Sequence, residues 1–395
     1  MLAIKYLSLS LLIISILFFI VILIISKNSN YPVKNDNNHK FCILIPARYE
    51  SNVIEDLLIS IKNQSFKINM RDVYVIVEST KDKTVEICKK YNASVVIRKR
   101  LDLKTKGYAL DEGIRYIKSK SKHYDAYFIF DADNILDKDF IKNMIPIYDK
   151  GYDLACGYRN CKNGNDSAIA ASSALTFSLI NEIINKMKCK HNKNITFSGT
   201  GFYIRGYLID KFNGYPFNSL TEDYELTMYA TLSDLTSFYN DKSVFYDEQP
   251  IKFKNTINQR VRWIKGYFLI RRKYAFKIFK SINKNSKNNA SKIDQSIGIL
   301  PYLTMVLSAL FYLLYLIIKK DIFKIIIILL SIYFVLLLIT LVLLILENGK
   351  IKLDKTMKIK VLFVNPIYLV SYLYCALIAL FKKDVSLTVV KHGKN

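Results

Sequence analysis

Several short stretches of this 395-residue chain carry side chains that could do chemistry together. At Asp131-Ala132-Asp133 an apolar, β-rich run ends abruptly in two carboxylates separated by one small residue. Acids at the carboxyl end of a strand in an open α/β sheet face a crevice rather than the core. Such a pair suits a hard divalent cation, with a diphosphate supplying further oxygens; a solvated strand-end turn has the same spelling. Lys106-Gly107 stands at a helix start, where free backbone N–H groups and an ammonium both suit phosphate, although a chain this rich in Lys also offers solvated clusters. In Thr221-Glu222-Asp223 the Thr could cap a helix whose first turn holds both acids. They are either ordinary complements to the helix dipole, or one is a general base within reach of a substrate hydroxyl. Gly199-Thr200-Gly201 lies in a loop entering a strand, where glycine lets a ligand or another backbone come close. Gln259-Arg260-Val261-Arg262-Trp263 contains the chain's single Trp and opens a basic, aromatic stretch over residues 263–282, a composition suited to a helix lying at a membrane surface.

These residues need a frame, and the hydrophobic pattern supplies one. Residues 41–45 read as a buried strand stopping at Pro46. A helix follows with Ile54, Leu57, Leu58 and Ile61 on one face and Ser51 as its cap. Residues 73–77 and 94–97 are further strands, with a short helix carrying Val85, Ile87 and Cys88 between them. Helical spacing resumes after Lys106 through Ile114 and Ile117. Strands alternating with helices, each strand closing in a polar loop, predict an α/β fold with a mostly parallel central sheet.

Hydrophobic residues make up 51% of the chain, unevenly distributed. Residues 7–25, 295–318, 325–346 and 361–381 are each apolar over about the 20 residues that a membrane-crossing helix needs. The first reads as an uncleaved anchor rather than a signal peptide, because only Lys5 precedes it and no small-x-small cleavage site follows. The expected division is an anchor (1–26), a linker (27–40), a globular domain (41–256), an interfacial basic and aromatic region with a low-complexity linker at 283–291 (257–294), a membrane region of three helices (295–382) and a tail (383–395). The six Cys include no C-x-x-C pair and the four His are scattered, which disfavours zinc and fits reduced thiols. A net charge of +25 beside several membrane spans points to anionic lipid and a phosphorylated substrate rather than nucleic acid.

Taken in order, Ile45-Pro46-Ala47-Arg48-Tyr49-Glu50, the strand end at Glu78, Lys106-Gly107-Tyr108-Ala109-Leu110, Asp131-Ala132-Asp133, Gly199-Thr200-Gly201, Thr221-Glu222-Asp223 and Gln259-Arg260-Val261-Arg262-Trp263 resemble a membrane-anchored family 2 glycosyltransferase with a GT-A fold. The last two are similar to those of processive β-glycan synthases making cellulose, hyaluronan or poly-N-acetylglucosamine. The resemblance implies a UDP-sugar donor, with Pro46, Ala47, Glu50 and Glu78 around its base and ribose. Lys106 would meet the diphosphate, Asp131 would sit near ribose and metal, and Asp133 would coordinate Mg2+ or Mn2+. Gly199, Thr200 and Gly201 would border the acceptor. Asp223 would be the catalytic base with Glu222 beside it, and Gln259, Arg260, Arg262 and Trp263 would hold the diphosphate and the acceptor sugar. Glu78 stands where the family more often has Asp. The implied activity is inverting transfer to a membrane-proximal glycan, with single transfer to a lipid, diacylglycerol or a polyprenyl phosphate, as the alternative. A catalytically inactive membrane scaffold leaves the acidic triplets unexplained. The implied location is a multi-pass membrane protein, its catalytic domain cytosolic. Four spans then put the Lys-rich loop at 319–324 outside, against the positive-inside rule, unless one segment is interfacial.

Overall fold

The computed structural model describes residues 2–24 and 39–382; the expected linker from 27 to 38 and the tail from 383 lie outside them. The chain opens with helix α1 (Leu2–Ile24). Next come β1 (Phe41–Pro46), α2 (Ile54–Lys62), β2 (Val73–Val77), α3 (Thr84–Lys90), β3 (Ser94–Ile97), α4 (Lys106–Ser119) and β4 (Ala126–Ile129), the alternation that the hydrophobic pattern predicts. The chain continues through β5 (Ile135–Leu136), α5 (Phe140–Asp149), β6 (Leu154–Cys161) and α6 (Ala168–Ser178), which passes through a π-helical stretch (Leu179–Asn185) into α7 (Lys186–Lys190). It ends with β7 (Phe202–Arg205), α8 (Gly206–Phe212), α9 (Glu222–Leu232), β8 (Ser237–Asp247), α10 (Phe253–Lys280), α11 (Asn289–Ile297), α12 (Leu300–Ile318), α13 (Ile322–Leu346) and α14 (Lys355–Phe381).

The strands form one sheet in the order β3-β2-β1-β4-β7-β6-β8-β5. Its first half is parallel, as expected. The second half is mixed: β7 runs antiparallel to both β4 and β6, and β8 parallel to β6. That one reversal builds the site. Ile129 at the end of β4 pairs with Phe202 at the start of β7, so the Asp131 turn and the Gly199 loop meet at one sheet edge. β1 is buried on both faces because both faces are covered by helices. Ile43 and Ile45 meet Leu57 and Leu58 of α2, while the alternate residue Leu44 meets Leu110 and Ile114 of α4.

Local details depart from expectation. Ser51 does not cap α2; its first turns hang on the Glu50 carbonyl, which accepts from Val53 N and Ile54 N. The expected domain boundary at residue 256 falls inside the continuous helix α10. The end of the segment 283–291 is anchored rather than free, since Asn288 and Ser291 are buried and Asn288 donates to the Leu235 carbonyl at 2.8 Å.

Among the described residues, four helices are long and apolar enough to cross a membrane: 168–190, 289–318, 322–346 and 355–381. The first, which the hydrophobic pattern had not flagged, is 56% buried within the globular domain. The second is broken at Gly298 into α11 and α12. α1 lies antiparallel along α12, with Ser8 Oγ donating to Ser308 O at 2.9 Å and Ser15 Oγ to Pro301 O at 2.7 Å. The turn between α13 and α14 is bound to the globular domain. Glu347 accepts from the Tyr158 hydroxyl, Asn160 Nδ2 donates to Lys350 O at 2.8 Å, and Asn165 Nδ2 donates to Lys352 O at 2.9 Å.

Candidate active site

A cavity of about 580 Å³ opens at the edge where β4 and β7 meet. Pro46, Ala47, Glu50, Glu78, Lys106, Asp131, Asp133, Gly199, Glu222, Asp223, Gln259, Arg262 and Trp263 all line it. Residues separated by up to 217 positions in sequence thus face one space, Pro46 against Trp263.

At its centre Lys106 Nζ lies 2.5 Å from Asp131 Oδ1 and 2.6 Å from the Gly199 carbonyl, with Glu222 Oε1 at 3.8 Å. Burial disfavours the ammonium, but Asp131 and Glu222 outweigh it and hold the Lys106 pKa above its ordinary value. Asp133 is buried; its Oδ1 accepts from Asn134 Nδ2 at 3.1 Å and its Oδ2 from Glu248 N at 3.2 Å. Across the cavity Glu222 and Asp223 start α9. Burial pushes the Glu222 carboxyl up to about 7, with Lys106 opposing and Asp223 adding to the rise. Asp223 is also raised by burial, opposed by backbone N–H donors of its helix turn and by Lys106. Those donors favour its charged form.

Two expected placements fail. Arg260 does not reach the cavity: it is fully buried and turned toward α14, where its guanidinium stacks on Tyr368 and Tyr372 at 4.1 and 4.6 Å from the ring centroids. Its Nη1 donates to Tyr368 O at 3.1 Å and Ser371 Oγ at 2.9 Å. Positions two apart on a helix do not share a face, so Arg260 and Arg262 cannot serve the same ligand. Thr200 and Gly201, expected to border an acceptor, do not line the cavity. The Thr200 hydroxyl accepts from Asp131 N at 2.8 Å and donates to Asn134 Oδ1 at 2.5 Å, bracing the aspartate turn. Gly201, at φ +69°, lies so close to the Phe245 ring that a Cβ would come within 2.1 Å of it. Thr221 precedes α9 as expected, yet its hydroxyl makes no capping bond; it packs where Gly266 of α10 leaves room.

The cavity also holds residues that the motifs did not mark. Arg159 donates through Nε to Asp247 Oδ2 at 2.7 Å and through Nη1 to Ser198 O at 2.5 Å, and lies 3.8 Å over the Phe177 ring. Phe177 meets Trp263 edge-on at 5.9 Å. Glu78 is gripped by Arg48 Nε at 3.0 Å and Arg98 Nη1 at 3.3 Å. Tyr372 enters from α14. Three residues that line this space each keep a buried polar atom without a protein partner: Asp247 Oδ1, Gln259 Oε1 and Arg262 Nε. Buried polar groups left unmatched by protein are costly.

Comparison with known proteins gives this arrangement a family. Residues 39–266 match the family described as Glycosyltransferase like family 2. The probable glycosyltransferase YdaM of Bacillus subtilis is 26% identical over 259 residues, covering 61% of this chain and 58% of that protein. Glucomannan 4-beta-mannosyltransferase 7 of Arabidopsis thaliana is 27% identical over 251 residues, covering 61% of this chain and 45% of that protein. The chain therefore spans roughly half the length of these relatives. The mannosyltransferase PcManGT of Pyrobaculum calidifontis, solved with GDP-Man and Mn2+, shares the fold with a TM-score of 0.60 at 12% identity, over 96% of this chain and all of that one. The chain belongs to glycosyltransferase family 2, built on a GT-A fold with helices long and apolar enough to cross a membrane.

Proposed function

We propose that this protein is an inverting glycosyltransferase that moves a sugar from a UDP-sugar to a membrane-proximal acceptor and so extends a polysaccharide. One observation carries the reading: Asp131, Asp133, Lys106 and Arg262 line the same cavity as the buried acids Glu222 and Asp223.

Breaking a sugar–phosphate bond requires stabilising the departing nucleoside diphosphate. Lys106 and Arg262 supply positive donors for it, in a water-poor site where such charges act strongly. Pro46, Ala47, Glu50 and Glu78 would surround the base and ribose, with Glu78 held by Arg48 and Arg98. Asp223 would take the proton of the attacking hydroxyl, its anion favoured by the N–H donors of its own helix turn. Glu222, tied to Lys106, would keep the ammonium between the two acid groups.

A divalent ion fits the donor set. Among the described residues no group of three or more His, Cys, Asp or Glu could hold a metal, so an ion here would take one or two carboxylates and complete its shell with substrate phosphates. Asp133, with Asp131 beside it, would hold the ion, which would neutralise charge on the leaving diphosphate.

Trp263, Phe177, Tyr267 and Tyr372 line the cavity and would stack on the acceptor sugar. Ile180 and Ile264, which also line it, favour a second reading, single transfer to diacylglycerol or a polyprenyl phosphate. Nucleotide sugars are made in the cytosol, so the domain would face it from a multi-pass membrane protein. The deciding experiment incubates purified full-length protein with UDP- and GDP-sugars and either ion, measures released nucleotide and sizes the product. A ladder supports polymer extension, one added sugar supports lipid transfer, and no turnover of any donor overturns both.

A further inference from the structure

Arg159 and Asp247 belong to none of the motifs, yet both line the catalytic cavity. They form an ion pair whose side chains are 11% and 3% exposed. A buried ion pair is a poor stabiliser, because well-packed apolar residues in its place serve the fold as well. This one is nevertheless heavily braced. Asp247 Oδ2 accepts from Arg159 Nε at 2.7 Å and from its Nη2, and also from Gln249 Nε2 at 2.7 Å. Gln249 is held in turn by Ser173 Oγ of α6 at 2.5 Å and by Asn163, whose Nδ2 donates to its carbonyl at 2.8 Å. The Phe177 ring lies 3.8 Å from the guanidinium, and Asn181 Nδ2 donates to the Arg159 carbonyl at 2.9 Å.

What the bracing fixes is the remaining nitrogen of the fork. With Nε and Nη2 on Asp247, the planar guanidinium delivers Nη1 to Ser198 O, 2.5 Å away. The next carbonyl, Gly199 O, takes the Lys106 ammonium at 2.6 Å. Successive carbonyls of one turn are thus gripped by cations from two parts of the sheet. Arg159 comes from β6, beside β7, and Lys106 from α4, which packs on β1. Gly199 stands at φ +94° in this turn. Glycine has little steric preference of its own, so the bonds on either side decide where the turn sits. Of the two close partners of the ammonium, Asp131 would also be claimed by a divalent ion, which leaves Gly199 O to the lysine.

We propose that Arg159 is a positioning residue of this site: locked by Asp247, it fixes the Ser198–Gly199 turn and thereby sets where the Lys106 ammonium meets a nucleoside diphosphate. The inference rests on the transferase reading, which supplies that ligand, and it assigns Arg159 no contact with substrate.

The test is a double-mutant cycle read by calorimetry on full-length, detergent-solubilised protein with Mn2+, comparing UDP and GDP with UMP and GMP. Removing Arg159 alone would leave Asp247 a buried unpaired charge. The pair variant is therefore Arg159→Met with Asp247→Asn, its fold checked by melting curves. Arg159→Lys keeps the charge and the pair but not the fork, and serves as the second variant if the first does not fold. Either is expected to weaken diphosphate binding about 10-fold, the worth of one hydrogen bond to a charged group, and to leave monophosphate binding unchanged. In a Lys106→Ala background the same changes are expected to cost nothing further, because residues acting through one another are not additive. An equal loss in both backgrounds, or for mono- and diphosphate alike, overturns the proposal, and so does an unchanged diphosphate affinity. Wild-type protein that binds neither diphosphate overturns the transferase reading, and this inference with it.

Discussion

Arg260 and Arg262 stand two positions apart on α10 and face different partners: Arg262 lines the catalytic cavity, while Arg260 is sealed between the rings of Tyr368 and Tyr372. One arginine faces the space a ligand would fill and the other is built into the fold. Replacing Arg260 by Ala removes two ring contacts and buried hydrogen bonds, a loss of about 2–4 kcal/mol. It should lower the thermal midpoint of the detergent-solubilised protein. Arg262→Ala should leave that midpoint in place and raise KM for the nucleotide sugar. A melting curve beside donor kinetics for both variants checks the division.

Asp223→Asn should lower kcat on the order of 10²–10⁴-fold, the contribution of a positioned general base, with donor binding kept. Tight nucleotide binding by a slow enzyme is the expected signature, measured by calorimetry beside steady-state rates.

The buried acids give the rate a pH dependence of definite sign. A carboxyl acts as base only when ionised, and both carboxyls at the start of α9 are raised by burial. Activity should therefore climb with pH as Asp223 ionises, at a pH above that of an ordinary aspartate. Glu222, which loses its proton at about 7, is not the base, so Glu222→Gln should keep an ascending limb. Stability runs the other way. Folded Glu222 holds its proton more tightly than an unfolded one at 4.5, so stability falls as pH rises from 4.5 toward 7. Rate profiles and melting curves over this range test both signs.

Chelation should abolish turnover, with Mg2+ or Mn2+ restoring it. Asp133→Ala should mimic chelation and resist rescue by added ion. Titrating either ion against nucleotide release distinguishes a lost metal site from a misfolded one.

Gly201→Ala places a Cβ 2.1 Å from the Phe245 ring at a left-handed φ, and should cost at least ~1–3 kcal/mol by overpacking alone. At Gly199 the nearest atom to a new Cβ is Asp223 Oδ2 at 3.9 Å. There the cost is the strained backbone, and the effect should fall on the kinetics. Expression yield and melting temperature for the first, and KM for the acceptor for the second, separate the two glycines.

Much of this was legible in the chain. Strands such as β1 and β2 are continuous apolar runs, and buried parallel strands have that composition. The Asp131, Lys106 and Asp223 motifs were readable because short local patterns sit at element ends. The antiparallel insertion of β7 was not, since strand pairing depends on partners far away in sequence. Arg159 and Asp247 went unmarked for the same reason: each belongs to an ordinary strand, and only the β6–β8 pairing brings them together. Helix 168–190 carries little signal because its Ser- and Ala-rich start is only weakly apolar. The motif groups Arg260 with the ligand, although helix geometry alone separates it from Arg262.

The turn after α13 is fastened to β6 and the segment that follows it through Tyr158, Asn160 and Asn165. If α13 spans the bilayer, these bonds would tie the catalytic domain to its anchor at a set height above the hydrocarbon. The domain would then work as a depth gauge, and an acceptor would be selected first by whether its hydroxyl projects to that height.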